Sequence, residues 1–227
     1  MQVFYVLLGW LLALFTPRFV RLIQRPYQKS EIQRSLFLEF SEFRHKLSLL
    51  AYRTRERSAT INQEFLGWLK PLLVCYGGPN TEKELPEVIE KLSSFPDEEL
   101  MYVSQQAPGR GIGLKTYSLP FIDAQLPSLS MFPVEFQRRV LDVRTRTNEL
   151  NQEIEYAWFS LKKSFDMSLD ENSRNTVAKN LEEAYNNIGR QSQMLADRIT
   201  DIISEFPAKG LESEEFRQSN QGSNDDD

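Results

Sequence analysis

One cysteine and one histidine among 227 residues leave little material for several kinds of chemistry. A disulfide framework needs paired cysteines, a structural zinc site needs four ligands drawn mostly from Cys and His, and a di-iron bundle needs two Glu-x-x-His motifs. None of these can be assembled within one chain. A Ser-His-Asp or Cys-His arrangement would have to use His45, and its surroundings do not favour that work. His45 lies between Arg44 and Lys46, two residues past Phe43, and reads as part of a solvated helix face. Cys75 follows Leu72-Leu73-Val74 and reads as a small apolar core residue. Collagen-like repeats and wholesale disorder are also excluded, since hydrophobic residues at 41% and charged residues at 26% are ordinary globular values. No internal repeat of solenoid length is present.

A phosphate loop is lacking as well. Gly109-Arg110-Gly111-Ile112-Gly113-Leu114-Lys115-Thr116 comes nearest, but Leu114 separates Gly113 from Lys115, no buried strand precedes the loop, and Pro120 stops a long helix from starting at Thr116. Arg110 and Lys115 are left as anion-binding candidates beside the plainer reading of a turn. Glu149 and Glu153 share a helix face at i, i+4, as carboxylates on a solvated edge commonly do. The expectation is a protein that is not an enzyme, with no catalytic residue, metal, cofactor or small-molecule substrate.

What is present begins with a charge asymmetry. Residues 1–57 carry 10 Lys and Arg against 4 Asp and Glu, a net +6, whereas the remainder carries 17 against 28, a net −11. A basic portion ahead of an acidic body suits a chain whose first part lies near an anionic surface. Nucleic acid is not the expected partner, because the basic residues follow an apolar run and are not interleaved with stacking aromatics.

That run is Val3 to Phe15, 13 residues without a charged side chain and apolar but for the polar tips of Tyr5 and Trp10. It makes about 20 Å of helix, short of a hydrocarbon core of about 30 Å. Extended to Ile23 it reaches about 31 Å, provided Arg18 and Arg21 snorkel toward headgroups. Val3, Phe4, Leu7, Leu8, Trp10, Leu11, Leu12, Leu14 and Phe15, with Arg18, Arg21 and Arg25 on their C-terminal side, are the expected membrane-anchoring residues. Tyr5 and Trp10 suit a headgroup layer or core packing equally. The positive flank predicts a body on the cytoplasmic side of the cell membrane. A cleaved signal peptide fits poorly, since no Lys or Arg precedes the run and Thr16-Pro17-Arg18 stands where a small-x-small site belongs. The helix either spans once or lies in the interface, where Arg18, Arg21 and Arg25 share a face after Pro17. A buried N-terminal helix is the plainer alternative.

The rest reads as helix. Residues 30–106 form a helical region opened by a capping box at Ser30-Glu31-Ile32-Gln33, with a heptad stripe Leu36, Phe40, Phe43, Leu47, Leu50 and a second box at Thr60-Ile61-Asn62-Gln63. Residues 107–133 form a Gly- and Pro-rich loop, with room for one edge strand between Ile112 and Phe121. Its apolar segments, 117–122 and 126–133, are expected to fill a groove of the bundle in preference to presenting a binding edge. Residues 134–206 carry the clearest signal. Phe136, Val140, Val143, Thr147, Leu150, Ile154, Ala157 and Leu161 alternate by four and three, and after a box at Ser168-Leu169-Asp170-Glu171 a second stripe carries Val177, Leu181, Ala184, Ile188, Leu195 and Ile199. Two long stripes joined by a short turn predict an antiparallel coiled-coil hairpin. Residues 207–227 read as a disordered acidic tail.

The expected fold class is therefore all-α: an N-terminal membrane-anchoring helix over residues 1–26, an elongated helical bundle, and a C-terminal hairpin. The expected interaction seam is Phe136, Val140, Val143, Leu150, Ile154, Leu161, Leu181, Ile188 and Leu195, since such positions bury against another chain as readily as within one. The function expected is that of an adaptor or scaffold with membrane lipid and a protein partner, or a second copy, as its contacts. The alternative is a self-assembling effector that perturbs the bilayer through its N-terminal helix.

Overall fold

The computed structural model describes residues 2–74, 85–105 and 113–206, with side chains from residue 27 onward except at 74, 101 and 103–105. Among the described residues the chain is all helical, with no strand. Seven α-helices occur there: α1 (Gln2–Arg57), α2 (Gln63–Val74), α3 (Leu85–Leu92), α4 (Asp97–Gln105), α5 (Pro120–Gln125), α6 (Val134–Ser164) and α7 (Glu171–Glu205). A 3-10 helix, Leu126–Met131, follows α5. The strand anticipated near 112–121 does not form among the described residues: 113–119 carry no regular secondary structure, and Pro120–Gln125 is helical.

α7 is the centre of the molecule, packed along α6 on one side and α1 on the other. It runs antiparallel to both. Arg139 pairs with Glu205 and Arg198 with Asp142 across α6 and α7, while Gln33 donates to the Phe206 carbonyl and Arg57 pairs with Glu182 across α1 and α7. The predicted seam is closed within the chain: Phe136, Val140, Val143, Leu150, Ile154, Leu181, Ile188 and Leu195 are buried, and Leu161 packs half-buried against them. The hairpin is thus one side of a three-helix arrangement, because α1 supplies the same core with Leu36, Phe37, Phe40, Phe43, Leu47 and Leu50.

Where α1 meets α7 the facing residues are small. Ser48, Ala51 and Thr54 lie opposite Gly189, Ser192 and Ala196, all buried. The hydroxyls are satisfied within their own helices: Thr54 donates to the Leu50 and Ala51 carbonyls, Ser48 to the His45 carbonyl and Ser192 to that of Ile188. A Cβ at Gly189 would collide with Thr54 Oγ1, so this glycine sets how closely the helices approach.

The strap from Gly113 to Phe132 descends the groove between α1 and α6. Trp158 donates to the Leu114 carbonyl, and the Asn151 side chain exchanges two hydrogen bonds with the Tyr117 backbone at 2.7 and 2.8 Å. Lower down, the Glu39 carboxylate accepts from the Phe121 and Ile122 amides, both at 2.9 Å, closing the N-terminus of α5. Leu114, Leu119, Ile122, Leu129 and Phe132 are buried, so the apolar segments of the strap do fill the groove. A satellite core of Ala51, Tyr52, Ile61, Phe65, Leu66, Leu69, Leu73, Leu85, Ile89 and Leu100 joins α2, α3 and α4 to the C-terminal end of α1.

Four local expectations are corrected. Ser30 caps nothing, because α1 runs unbroken from Gln2 to Arg57 and Ser30 is interior to it. The other two caps sit two residues later than anticipated. Asn62 accepts from the Phe65 amide ahead of α2, and Asp170 from the Ser173 amide ahead of α7, while Ser168 donates its hydroxyl to Asp166. His45 is buried at 4% exposure, since α1 is covered on more than the one face its heptad stripe marks.

Candidate functional site

The chemistry-bearing candidates do not converge. Lys115 is exposed on the strap and borders a groove of about 590 Å³ together with Glu39, Glu42, Lys46 and Arg53, a mixture of both signs. Arg110 and Cys75 lie outside the described residues. Glu149 is exposed and Glu153 half-buried beside the seam. No group of His, Cys, Asp and Glu able to hold a metal ion occurs among the described residues.

A second cavity, about 240 Å³, lies among Arg138, Arg139, Asp142, Arg198 and Asp201. Its cations are already engaged. Glu135 bridges Arg138 and Arg139 at 2.8 and 2.9 Å, and hydrogen bonds from these two guanidinium groups hold its carboxyl down at about 2. Arg139 also pairs with Glu205 at 2.8 Å, and Asp142 holds Arg146 and Arg198 at 3.1 and 2.8 Å. This network ties α6 to α7, and each of its cations is already paired with a carboxylate.

The turn between α6 and α7 is different. α1 ends at Arg57 beside Glu182, so among the described residues the first eleven of α7 and the matching end of α6 project past it, with the strap still reaching Trp158 through the Leu114 carbonyl. Ser160 and Val177 are buried between them. Near that pair five large apolar side chains are exposed: Tyr156, Trp158, Phe159 at 62% exposure, Phe165 at 75% and Met167 at 92%. Single exposed apolar residues need no account, but five within twelve residues at one end of a hairpin are a density that calls for one.

The turn is rigidly made. Asp166 accepts from the Ser168 amide and hydroxyl, the Asp170 carboxylate caps α7, and Arg174 donates to the Met167 carbonyl at 3.1 Å. These hydrogen bonds lower the titration of both aspartates. Beside the apolar residues stand the exposed Lys162 and Lys163. A cleft of about 260 Å³ opens between the helices, walled by Tyr156 and Phe159 on α6 and by Asn172, Ser173, Thr176 and Asn180 on α7. Lys163 is the one charge in its lining. An aromatic wall facing an amide and hydroxyl wall suits a peptide, with the lysines favouring carboxylates nearby.

None of Tyr156, Phe159, Phe165 and Met167 belongs to the seam. Sequence reasoning missed them because they interrupt no periodicity, and their only signal is density: Tyr156, Trp158, Phe159, Phe165 and Met167 in twelve residues, off the stripe and flanking two lysines. The expected anchoring residues, Val3, Phe4, Leu7, Leu8, Trp10, Leu11, Leu12, Leu14, Phe15, Arg18, Arg21 and Arg25, have side chains outside the described set. Among the described residues no helix is long and apolar enough to cross a membrane. The chain matches no family model, and no curated protein or solved structure matches it.

Proposed function

We propose that this chain is a non-enzymatic adaptor held at the cytoplasmic face of the cell membrane by the N-terminal portion of α1, spanning or interfacial, and that it recruits a protein through the tip of its α6–α7 hairpin. The observation that carries this reading is the exposed Tyr156, Phe159, Phe165 and Met167 patch on the projecting end of the hairpin. Geometry adds the direction. Lys29 lies over Phe132 and Gln33 reaches Phe206, so α1 enters the bundle at the end opposite the turn. The 31 residues of α6 set the two ends about 46 Å apart, which would hold the tip clear of a bilayer into which α1 runs. The partner is a protein with an apolar contact surface and carboxylates for Lys162 and Lys163. Coiled-coil character in the hairpin serves as a stiff arm, since its seam residues are spent inside the chain.

The test is to purify the tagged full-length protein from its native cells in a gentle detergent beside the triple variant Phe159→Ser, Phe165→Ser, Met167→Ser, and to identify companions by mass. A stoichiometric second protein that is lost from the variant is the expected result. A companion retained by the variant places recruitment elsewhere and overturns the role of the tip. A homo-oligomer alone, dissolved by deleting residues 1–25, favours the membrane-acting effector.

A further inference from the structure

The strap is fastened in two unequal parts. Its lower part, from Leu119 on, is tied to α1 and sunk in the core: Glu39 accepts from the Phe121 and Ile122 amides, and Leu119, Ile122, Leu129 and Phe132 are buried. Over 113–118 the backbone is tied to α6 instead. Trp158 Nε1 donates to the Leu114 carbonyl at 3.0 Å, and the Asn151 side chain brackets Tyr117 with two hydrogen bonds. Leu114 is the one buried side chain of this stretch, at 5% exposure. Tyr117 leans half-buried on Phe43, with ring centroids 5.5 Å apart, and Lys115, Thr116 and Ser118 are exposed. On its α1 side the same stretch borders the groove of about 590 Å³, lined there by Phe43, Leu49 and Leu50.

We infer that 113–118 is a flap, hinged where α5 begins at Pro120, plugged by Leu114 and latched by Trp158, and that an occupied hairpin tip holds it shut. The second half of the inference rests on the reading of the tip as a recruiting surface, because Trp158 is one of the five exposed apolar residues there. Two properties meet in this side chain. Its indole nitrogen holds the flap, while the ring stays 41% exposed at the end of the hairpin. A hydrogen bond open to water on one side exchanges with water at little net cost, whereas the same bond under a partner has no competitor for the carbonyl and gains strength in the drier surroundings. Occupation of the tip therefore favours the latched state. By linkage, the latched state presents Trp158 to the partner in a fixed orientation. Unlatching withdraws Leu114 and widens the groove beside Phe43 and Leu50, while α5 keeps its bonds to Glu39. Trp158 is thus a positioning residue that carries the state of the tip to the face of α1.

Residue-resolved amide exchange on the full-length protein tests this, with Tyr117 reporting on the flap and Phe121 and Ile122 on the strap below the hinge. Trp158→Phe keeps a ring and removes the donor. Exchange at Tyr117 should quicken about two- to tenfold, the equivalent of one net hydrogen bond, with Phe121, Ile122 and the core residue Ile188 unchanged. No change at Tyr117 overturns the latch, and equal quickening at Tyr117, Phe121 and Ile122 overturns the hinge. The same measurement on the complex co-purified through the tip should show Tyr117 slowed in the wild-type chain and not in Trp158→Phe. A complex that leaves wild-type Tyr117 exchange unchanged overturns the coupling and leaves the tip as a recruiting surface. A companion retained by the serine triple variant binds elsewhere, which removes the tip reading and the coupling with it; the latch is then decided by Trp158→Phe in the free protein.

Discussion

The lower half of the α6–α7 hairpin hides its large apolar side chains on the seam, and the upper half leaves three that stand off the seam in solvent. From Phe136 to Ala157 every seam residue of α6 is buried, with α1 and the strap completing the enclosure. From Trp158 to Met167 the large apolar residues include Phe159, Phe165 and Met167 in solvent. The chemistry of the side chains does not separate the halves; their place on the seam or off it does. α1 also stops at Arg57 beside Glu182, short of the turn. A stripe of apolar residues therefore states which face a helix buries and is silent on the apolar side chains that stand off it.

Truncation in the lower half is the hardest test of the contrast. Phe136 is 1% exposed and touches Phe37, Phe132 and Phe206, so Phe136→Ala should cost about 3–5 kcal/mol in urea or guanidinium unfolding. A cost under about 1 kcal/mol would mean that the lower half is packed no better than the tip.

The closeness of α1 to α7 is tested at Gly189. Adding a methyl group drives it into Thr54 Oγ1, whose rotamer is held by two backbone acceptors, so Gly189→Ala should destabilise by about 1–3 kcal/mol despite the better helix propensity of alanine. Thr54→Ala removes the obstructing oxygen. The double variant should recover most of the loss, and strict additivity in the cycle would show that the two helices do not meet there.

A smaller and local effect is expected in the upper half. The Asp170 carboxylate accepts from the Ser173 amide, and that bond holds its pKa below the ordinary aspartate value. A carboxyl depressed in the folded state contributes stability above its unfolded pKa, near 3.9, and loses it as pH falls through the lower folded value. Acidification below about pH 4 should therefore fray the first turn of α7 before the bundle yields, and Asp170→Ala should reproduce this at neutral pH. Amide exchange that quickens around Ser173 while protection near Ile188 is unchanged would check both.

The sequence carried the lower half openly and the upper half hardly at all. The four-three alternation from Phe136 to Ala157 names a buried face because each step lands within one helical stripe. Capping was legible in kind but not in register: Ser168 and Thr60 looked like caps, whereas Asp170 and Asn62, two residues on, accept the first amides. Ser30-Glu31-Ile32-Gln33 resembles a helix start, yet α1 passes through it, because a capping pattern records competence and not use. His45 sits off the stripe and is nonetheless buried, as coverage on a second face leaves no mark in a heptad count. The strap was legible as groove-filling from its apolar, proline-broken composition. Its anchoring by Glu39, Asn151 and Trp158 was not, since those partners lie 34 to 83 residues away in sequence.

The smallest effect on stability is the most informative about function. Phe159, Phe165 and Met167 have most of their surface in water in the folded chain, so replacing all three by serine removes little that folding buried. Unfolding free energy should move by no more than about 0.5 kcal/mol per site, and aggregation should fall. Binding responds in the opposite way, because a partner that covers these side chains gains from each of them and hot spots concentrate in aromatic residues. The Phe136→Ala chain offers the complementary case: destabilised in its lower half, it keeps the tip intact. A partner that leaves with the serine variant and stays with Phe136→Ala at a temperature where the latter is folded assigns the recruiting surface to the uncovered half of the hairpin. The reverse pattern would mean that the recruiting surface is the bundle itself, with the exposed aromatics off the seam playing no part in it.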